Sequence, residues 1–380
     1  MNLGQLKKSI DKAIQSLPKK GNTLPILDNI LVEWDSFNTV ITAGSSEVMV
    51  KVLSTGTTFN LDIIDKKSVV IDPKKIKKIL MANKNKDGYL DVTEKNCLRI
   101  EVGKTSYTRI GQAAELYPPT PDFDMLAQYK LRQVDLSRAL KSINHAHPIG
   151  FRAPYEPGGF LLTHPNLDDK VAFMTTDGHR LALAHVPKDP QRVQECLDSV
   201  LDTRVAKLLE KNIPCQWEGE AVSVVESEKW VQFSTRNMRV WAKRKHEDPI
   251  PYKEILPTGK YNFTVTKKAL AAALKAVIVG TEDFDKVKPA KFQVSGGQLS
   301  ILYEHEEGAK AKSIVDVEDY YNGITWGPTI LNLNYMLAAA NGAPHDKVTI
   351  DYDEPMAPLG ITDSVDREDY MAVVMPLEIF

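Results

Sequence analysis

The string "TTDGHRLALAHVP", residues 175–187, brings a carboxylate, an imidazole and a guanidinium together around one glycine. Asp177, His179 and Arg180 are the residue types that move protons or hold phosphate, so a hydrolase or nuclease is one reading of this stretch. Catalysis of that kind needs a nucleophile or metal ligands to converge on His179. The other histidines, at 145, 147, 164, 185, 246, 305 and 345, form no H-x-x-x-H helix pair and have no cysteine at ligand spacing. His145 and His147 are two apart, which suits a strand or loop better than a metal-binding helix face. A second reading is architectural. Asp177-Gly178 is a tight hairpin turn, with Gly178 supplying positive φ and His179 and Arg180 pairing with nearby groups. Neither a metal nor a cofactor is expected.

Composition bounds the rest. The chain has 380 residues, 43% of them hydrophobic, with a formal net charge of −2. At roughly 100–200 residues per domain this allows two to four domains. Cys97, Cys196 and Cys215 are sparse and unpaired in spacing, the pattern of reduced thiols. The N-terminal "MNLGQLKKSIDKAIQSL" is amphipathic and charged, without the apolar core of a signal peptide. No apolar run approaches the ~18 residues of a membrane span. A soluble, cytoplasmic protein is expected.

Six short helices can be placed. One runs Leu3 to Leu17 on its apolar stripe. "DPKKIKKILMAN" starts at Asp72, an N-cap followed by proline at the first helical position. Others start at Asp135, Asp202, Thr266 and Asn332, the last stopping at Gly342 as a C′ residue. Between them lie strand-like pieces: 29–34, 97–102, 159–164, 170–176, 221–226, 230–235, 299–304 and 347–352. The starts at Asp72, Asp202 and Asn332 recur about every 130 residues, as do those near 3, 135 and 266. Three copies of one α+β unit account for the whole chain, with boundaries giving domains 1–125, 126–256 and 257–380.

Charge is unevenly distributed over these elements. The helices sum to +10 on a chain whose total is −2. Lysines are ordinary residues of solvated helix faces, but helices at equivalent positions of a repeat turn their faces the same way. That arrangement favours a polyanion on one side. No zinc spacing, recognition helix or RNP-type aromatic pair is present, so the lysines can hold phosphates but not read bases.

Four stretches carry a family resemblance: "NTLPILDNILVE" (22–33), "FMTTDGHRLALAHVP" (173–187), "PYKEILP" (251–257) and "YMAVVMPLEIF" (370–380). In that order, over essentially the whole chain, they resemble the bacterial sliding clamp, the beta subunit of the replicative DNA polymerase. The resemblance implies a non-enzymatic processivity factor: a head-to-tail homodimer of six domains, twelve helices lining a hole around double-stranded DNA, and sheets outside. Twelve helices ~9 Å apart give a circle about 35 Å across, and subtracting one ~10 Å helix width leaves a hole near 25 Å. That admits a duplex.

The resemblance also implies sites. Lys7, Lys8, Lys12, Lys74, Lys75, Lys78, Arg138, Lys141, Arg204, Lys207, Lys267 and Lys268 would face DNA. Short motifs of the polymerase subunit, the clamp loader and other partners, of Q-L-x-L-F type, would enter an apolar groove between the second and third domains. Thr176, Gly178, His179, Arg180 and Leu181 would form one wall. Ile255 would come from the domain junction. Met356, Pro358, Val373, Met375, Pro376 and Leu377 would form the other wall. Methionine, proline and aliphatic side chains make a pocket able to accept several partners. Tyr107 and Ile110 would meet Ile278 and Val279 of a second subunit. The chain departs from the family pattern in "TAGSSEV" (42–48), in Ile250 and Glu254, and in Glu378, Ile379 and Phe380 after Met-Pro-Leu. A monomeric peptide-binding adaptor that kept the groove and lost the ring is the remaining alternative.

Overall fold

The computed structural model describes residues 1–18, 21–56, 59, 66–147, 159–164, 169–213, 220–245, 251–282, 287–318, 325–354, 356–365 and 369–377. Cys215, Ile250 and the segment 378–380 lie outside them. Cys97 and Cys196 are not joined in a disulfide.

Among the described residues six α-helices alternate with antiparallel strands: α1 (Leu3–Ala13), α2 (Pro73–Ala82), α3 (Gln133–Ile143), α4 (Thr203–Asn212), α5 (Lys267–Val279) and α6 (Leu333–Gly342). The starts at 73, 203 and 333, and at 3, 133 and 267, keep the repeat. Local chemistry sets several of them. Asp72 caps α2, its carboxylate accepting from the Lys74 amide, with Pro73 next. Asn332 caps α6 through the Asn334 amide. Thr266 precedes α5 in extended conformation without a side-chain cap. The first helix is shorter than its apolar stripe, because Ile14–Ser16 tighten into a 3-10 turn. Gly342 was expected just beyond α6, but it is the last helical residue. Its role is close packing: a Cβ there would meet Tyr370 Oη at 2.4 Å and the Ser142 carbonyl at 2.6 Å.

The chain forms two compact units. Unit 1 comprises residues 1–133, 189–197 and 204–245; unit 2 comprises 134–188, 198–203 and 246–380. In unit 1, eight strands run in the order Ala127–Arg132, Ala221–Glu226, Trp230–Ser234, Met238–Lys243, Val48–Thr55, Thr39–Gly44, Ile30–Trp34, Lys67–Ile71. A separate sheet joins Tyr89–Val92, Cys97–Val102 and Thr105–Ile110. Here α1 packs on α2, and Asn212 of α4 donates to Gln15 beside α1 at 3.2 Å.

In unit 2, Tyr261–Thr266, Lys347–Tyr352, Leu359–Asp363, Tyr370–Val374 and Arg180–Val193 follow one another. Lys170–Thr176, Gly159–Thr163 and Ser199–Leu201 continue from the last of these. A second sheet has the order Lys310–Asp316, Gln298–Glu304, Pro289–Ser295, Trp326–Asn332. In this unit α5 packs on α6.

Candidate functional site

The 175–187 string is a hairpin. Thr176 faces Leu181 across the two strands, and Gly178 sits at φ +85°, where an L side chain would be strained. Asp177 is consumed by this turn. Its Oδ1 accepts the amides of His179 and Arg180 at 3.1 Å, and its Oδ2 accepts Arg180 Nε at 3.1 Å. Both side chains of that ion pair are buried, and the Arg180 guanidinium also stacks 4.3 Å from the Tyr335 ring centroid. Thr176 Oγ1 donates to the Arg180 carbonyl at 2.8 Å and accepts from the Gly178 amide. Of the three polar residues only His179 is exposed. The turn is thus a rigid bracket in which Asp177 and Arg180 are engaged with each other and with the backbone.

What the bracket holds is apolar. Cross-strand register sets one row across five strands: Val200 opposite Leu161, Leu161 opposite Met174, Met174 opposite Leu183, Leu183 opposite Met371. Directly opposed residues point to the same sheet face. Leu181 and Val373 add a second row. On this floor sit Tyr252 of the 3-10 turn Tyr252–Glu254, then Ile255 and Leu256, with Met375 alongside. Met375 is fixed by its amide, which donates to the His179 carbonyl at 3.0 Å. The cluster is lined by aliphatic and thioether side chains, and Ile255, Leu256, Met371 and Met375 are only partly buried.

Leu181, Ile255, Val373 and Met375 therefore pack together beside the Thr176–Arg180 turn. Pro376 and Leu377 follow, half-buried, with the Leu377 amide donating to the Ile330 carbonyl. Met356 and Pro358 lie just before the strand Leu359–Asp363, whose Gly360 pairs with Val373 of the cluster. Met356 is 50% exposed at φ +71°, and Pro358 precedes the strand Leu359–Asp363, whose Leu359 faces Val374. Sequence reasoning missed Leu161, Met174, Leu183, Val200, Tyr252 and Tyr335. Strand alternation marks the first three as facing one way, but nothing local says which strands lie beside them.

Behind the bracket, His145 Nε2 lies 3.0 Å from Tyr370 Oη, which itself donates to the Ala339 carbonyl. The phenol oxygen must then accept from Nε2–H, which fixes the tautomer. Burial, with Arg180 adding, pulls the His145 pKa down to about 3, so the imidazole is neutral.

The basic residues separate into two groups. Lys8, Lys74, Lys75, Lys78, Arg138, Lys141, Lys207 and Lys268 are exposed on their helices, and Lys12 is half-buried. Lys7 pairs with Asp11, which also takes Lys77 at 3.1 Å. Arg204 is engaged structurally: its guanidinium donates to the Ser16 carbonyl at 3.1 Å and to Glu47 at 3.2 Å. Lys267 is held too, donating to the Ala343 carbonyl at 3.0 Å. Helix α6 carries no charged residue.

Two sheet edges bear exposed apolar residues. Thr105–Ile110 ends the three-stranded sheet of unit 1, with Ile110 73% exposed and Tyr107 half-buried. Lys310–Asp316 ends a sheet of unit 2, with Ile314 51% exposed and α5 packed on it. Ile278 is half-buried and Val279 86% exposed within the last turn of α5. Ile314 had no distinguishing signal in an alternating strand.

Among the described residues no group of His, Cys, Asp and Glu is placed to hold a metal, and no helix is long and apolar enough to cross a membrane.

No family model matches the chain. Two curated relatives do. The beta sliding clamp of Haemophilus influenzae is 25% identical over 377 residues, covering 94% of this chain and 93% of that protein. The beta sliding clamp of Synechocystis sp. is 21% identical over 375 residues, covering 93% and 91%. Among solved structures, the DNA polymerase sliding clamp of Pseudomonas aeruginosa superposes with a TM-score of 0.85 at 18% identity, over 100% of this chain and 99% of that one. The sliding clamp of Bartonella birtlesii, DNA polymerase III subunit beta, solved with griselimycin bound, gives 0.85 at 20% identity over the same shares. The chain is thus similar to the bacterial beta sliding clamps over nearly its whole length in sequence and over all of it in fold.

Proposed function

We propose that this chain is a non-catalytic sliding clamp: two copies close head to tail around double-stranded DNA and tether a replicative DNA polymerase subunit. The clamp loader and other proteins bearing a clamp-binding motif use the same groove. The observation that carries this reading is the five-strand apolar row Val200–Leu161–Met174–Leu183–Met371 under Tyr252 and Met375, bracketed by the buried Asp177–Arg180 pair. An extended peptide can pair with the rim backbone while its leucine or phenylalanine fills the groove. The relatives' names, the repeat of the six helices and the exposed lysines support the DNA-encircling part. Lysines on helix faces hold phosphate without base contacts, which is what sliding requires.

We place the three repeats at 1–125, 126–256 and 257–380. The subunit contact then joins the edges Thr105–Ile110 and Lys310–Asp316, burying Tyr107, Ile110, Ile278, Val279 and Ile314. Pairing two bare edges also removes an aggregation hazard. Arg204 and Lys267 support the helix layer from within and leave the DNA contacts to the other basic residues.

Sedimentation of the protein tests the ring. A mass near twice 42.5 kDa is expected. A monomer that still binds a Q-L-x-L-F peptide would instead favour the adaptor reading.

A further inference from the structure

The groove floor has a counterpart at the equivalent place in the repeat within unit 1, and its chemistry is inverted. There the row reads Val70 opposite Leu31, Leu31 opposite Thr42, Thr42 opposite Lys51, Lys51 opposite Arg239. The strand before α2 takes the place of the strand before α4, and Thr42, Lys51 and Arg239 stand where the groove has Met174, Leu183 and Met371. The Val70–Leu31 end is roofed by Leu27 and Tyr117, as the other floor is roofed by Tyr252. The other end is cationic.

Two features of that end are unexplained by folding. First, Lys51 and Arg239 are like charges directly opposed across strands, an arrangement that destabilises a sheet. Lys51 is 21% exposed in its side chain, and Glu33 gives it only a 3.8 Å contact because Lys66 takes Glu33 at 2.6 Å. Among the described residues no carboxylate pairs with Arg239, whose guanidinium lies 4.6 Å from the Phe59 ring centroid. Burial, with Lys66 and Arg239 adding, holds the Lys51 ammonium below its usual pKa, as expected of a charge short of counter-charge. Second, buried donors are left over. Thr42 is 2% exposed and its hydroxyl has no hydrogen-bond partner; Trp241, 4% exposed and two residues along from Arg239 on the same face, has an unpartnered indole N–H. Unpaired buried polar groups are costly and rare, and each calls for a partner. Three cations against one carboxylate, with a hydroxyl and an indole N–H beside them, satisfy the needs of one compact dianion.

We infer that the face formed by Thr42, Lys51, Lys66, Arg239 and Trp241 binds a phosphate group. The oxyanion sits over Lys51 and Arg239, accepts from the Thr42 hydroxyl and the Trp241 N–H, and supplies the missing counter-charge. The site is separate from the helix lysines and from the apolar groove, and it stands whether or not the chain forms a ring.

The test is titration of the full-length protein with inorganic phosphate at constant ionic strength, with chloride as the control anion and phosphoserine in a parallel arm. The readouts are the indole N–H resonance of Trp241, assigned with Trp241→Phe, and the unfolding temperature. A saturable shift of that resonance with phosphate and not with chloride is expected, weakened at least tenfold in Lys51→Met and in Arg239→Gln, with groove-peptide binding unchanged. Lys51→Met should also be more heat-stable than the parent in phosphate-free buffer, because the opposed charges are gone. A response to phosphate alone assigns the free anion, and a response to phosphoserine as well assigns a phosphate monoester; both support the site. Equal responses to phosphate and chloride, or an unchanged response in a folded Lys51→Met or Arg239→Gln protein, overturn it.

Discussion

Two rows of side chains at equivalent places in the repeat make the most informative contrast in this molecule. In unit 2 the row Val200–Leu161–Met174–Leu183–Met371 is apolar throughout, and its polar groups are confined to the Asp177–Arg180 bracket, where each is satisfied. In unit 1 the row Val70–Leu31–Thr42–Lys51–Arg239 begins apolar and ends cationic, with hydrogen-bonding groups left over. The backbone register is the same in kind, so the strands do not dictate what the surface recognises. Three substitutions on a shared floor separate a surface for leucine and phenylalanine from one for an anion. A repeat can thus keep its architecture while one copy changes the chemistry it offers.

The contrast can be broken most forcefully at the bracket. Asp177→Ala leaves Arg180 charged and buried without its carboxylate, which should cost about 3–5 kcal/mol in urea unfolding and release the turn that positions Met375. At the equivalent turn of unit 1, Ser45 Oγ accepts the amides of Glu47 and Val48 at 3.3 and 3.2 Å, so Ser45→Ala removes only neutral hydrogen bonds and should cost less. Next in size is Leu183→Ala, which opens a cavity in the apolar floor and should cost about 2–4 kcal/mol while weakening peptide binding. Lys51→Leu, which gives the unit 1 row an aliphatic residue at that place, should stabilise by about 1 kcal/mol.

Acid should act on unit 2 through His145. Its pKa is about 3 folded against an ordinary 6.5, so burying the neutral imidazole contributes stability that is whole above pH 6.5 and lost as pH falls toward 3. Unfolding free energy should drop by about 1.4 kcal/mol per pH unit from this group across that window. His145→Phe should flatten the dependence. The smallest effect separates the two roof tyrosines. Tyr117 buries a phenol with no partner, and burial raises its pKa well above the usual range; Tyr252 has Thr163 Oγ1 at 3.4 Å. Tyr117→Phe should therefore stabilise by about 1 kcal/mol, and Tyr252→Phe should change little. Equal effects at both positions would remove the distinction between the roofs.

Much of the fold was readable before any coordinates because its signals are local. Asp72-Pro73 caps a helix by its own side chain, Gly178 turns a hairpin by its own φ, and 97–102 alternates along its own length. The groove was readable where the turn and the Val373–Met375 strand end carry it. It was not readable on the floor, since Leu183 meets Met371 across a strand pairing that spans half the chain. The same blindness hid what Arg204 and Lys267 touch: a charge count sees two cations on helices, while the fold gives one the Ser16 carbonyl and the other the Ala343 carbonyl. Gly342 was legible as a special glycine but not as the seat of Tyr370.

The account depends most on topological linkage between the protein and DNA. Loaded onto a nicked circular duplex with a clamp loader and isolated by gel filtration, the protein should stay with the circle at salt concentrations that strip ordinary phosphate contacts, and should be lost within minutes once the circle is cut. Equal retention on circular and linear DNA, or release from both at the same salt, would contradict it.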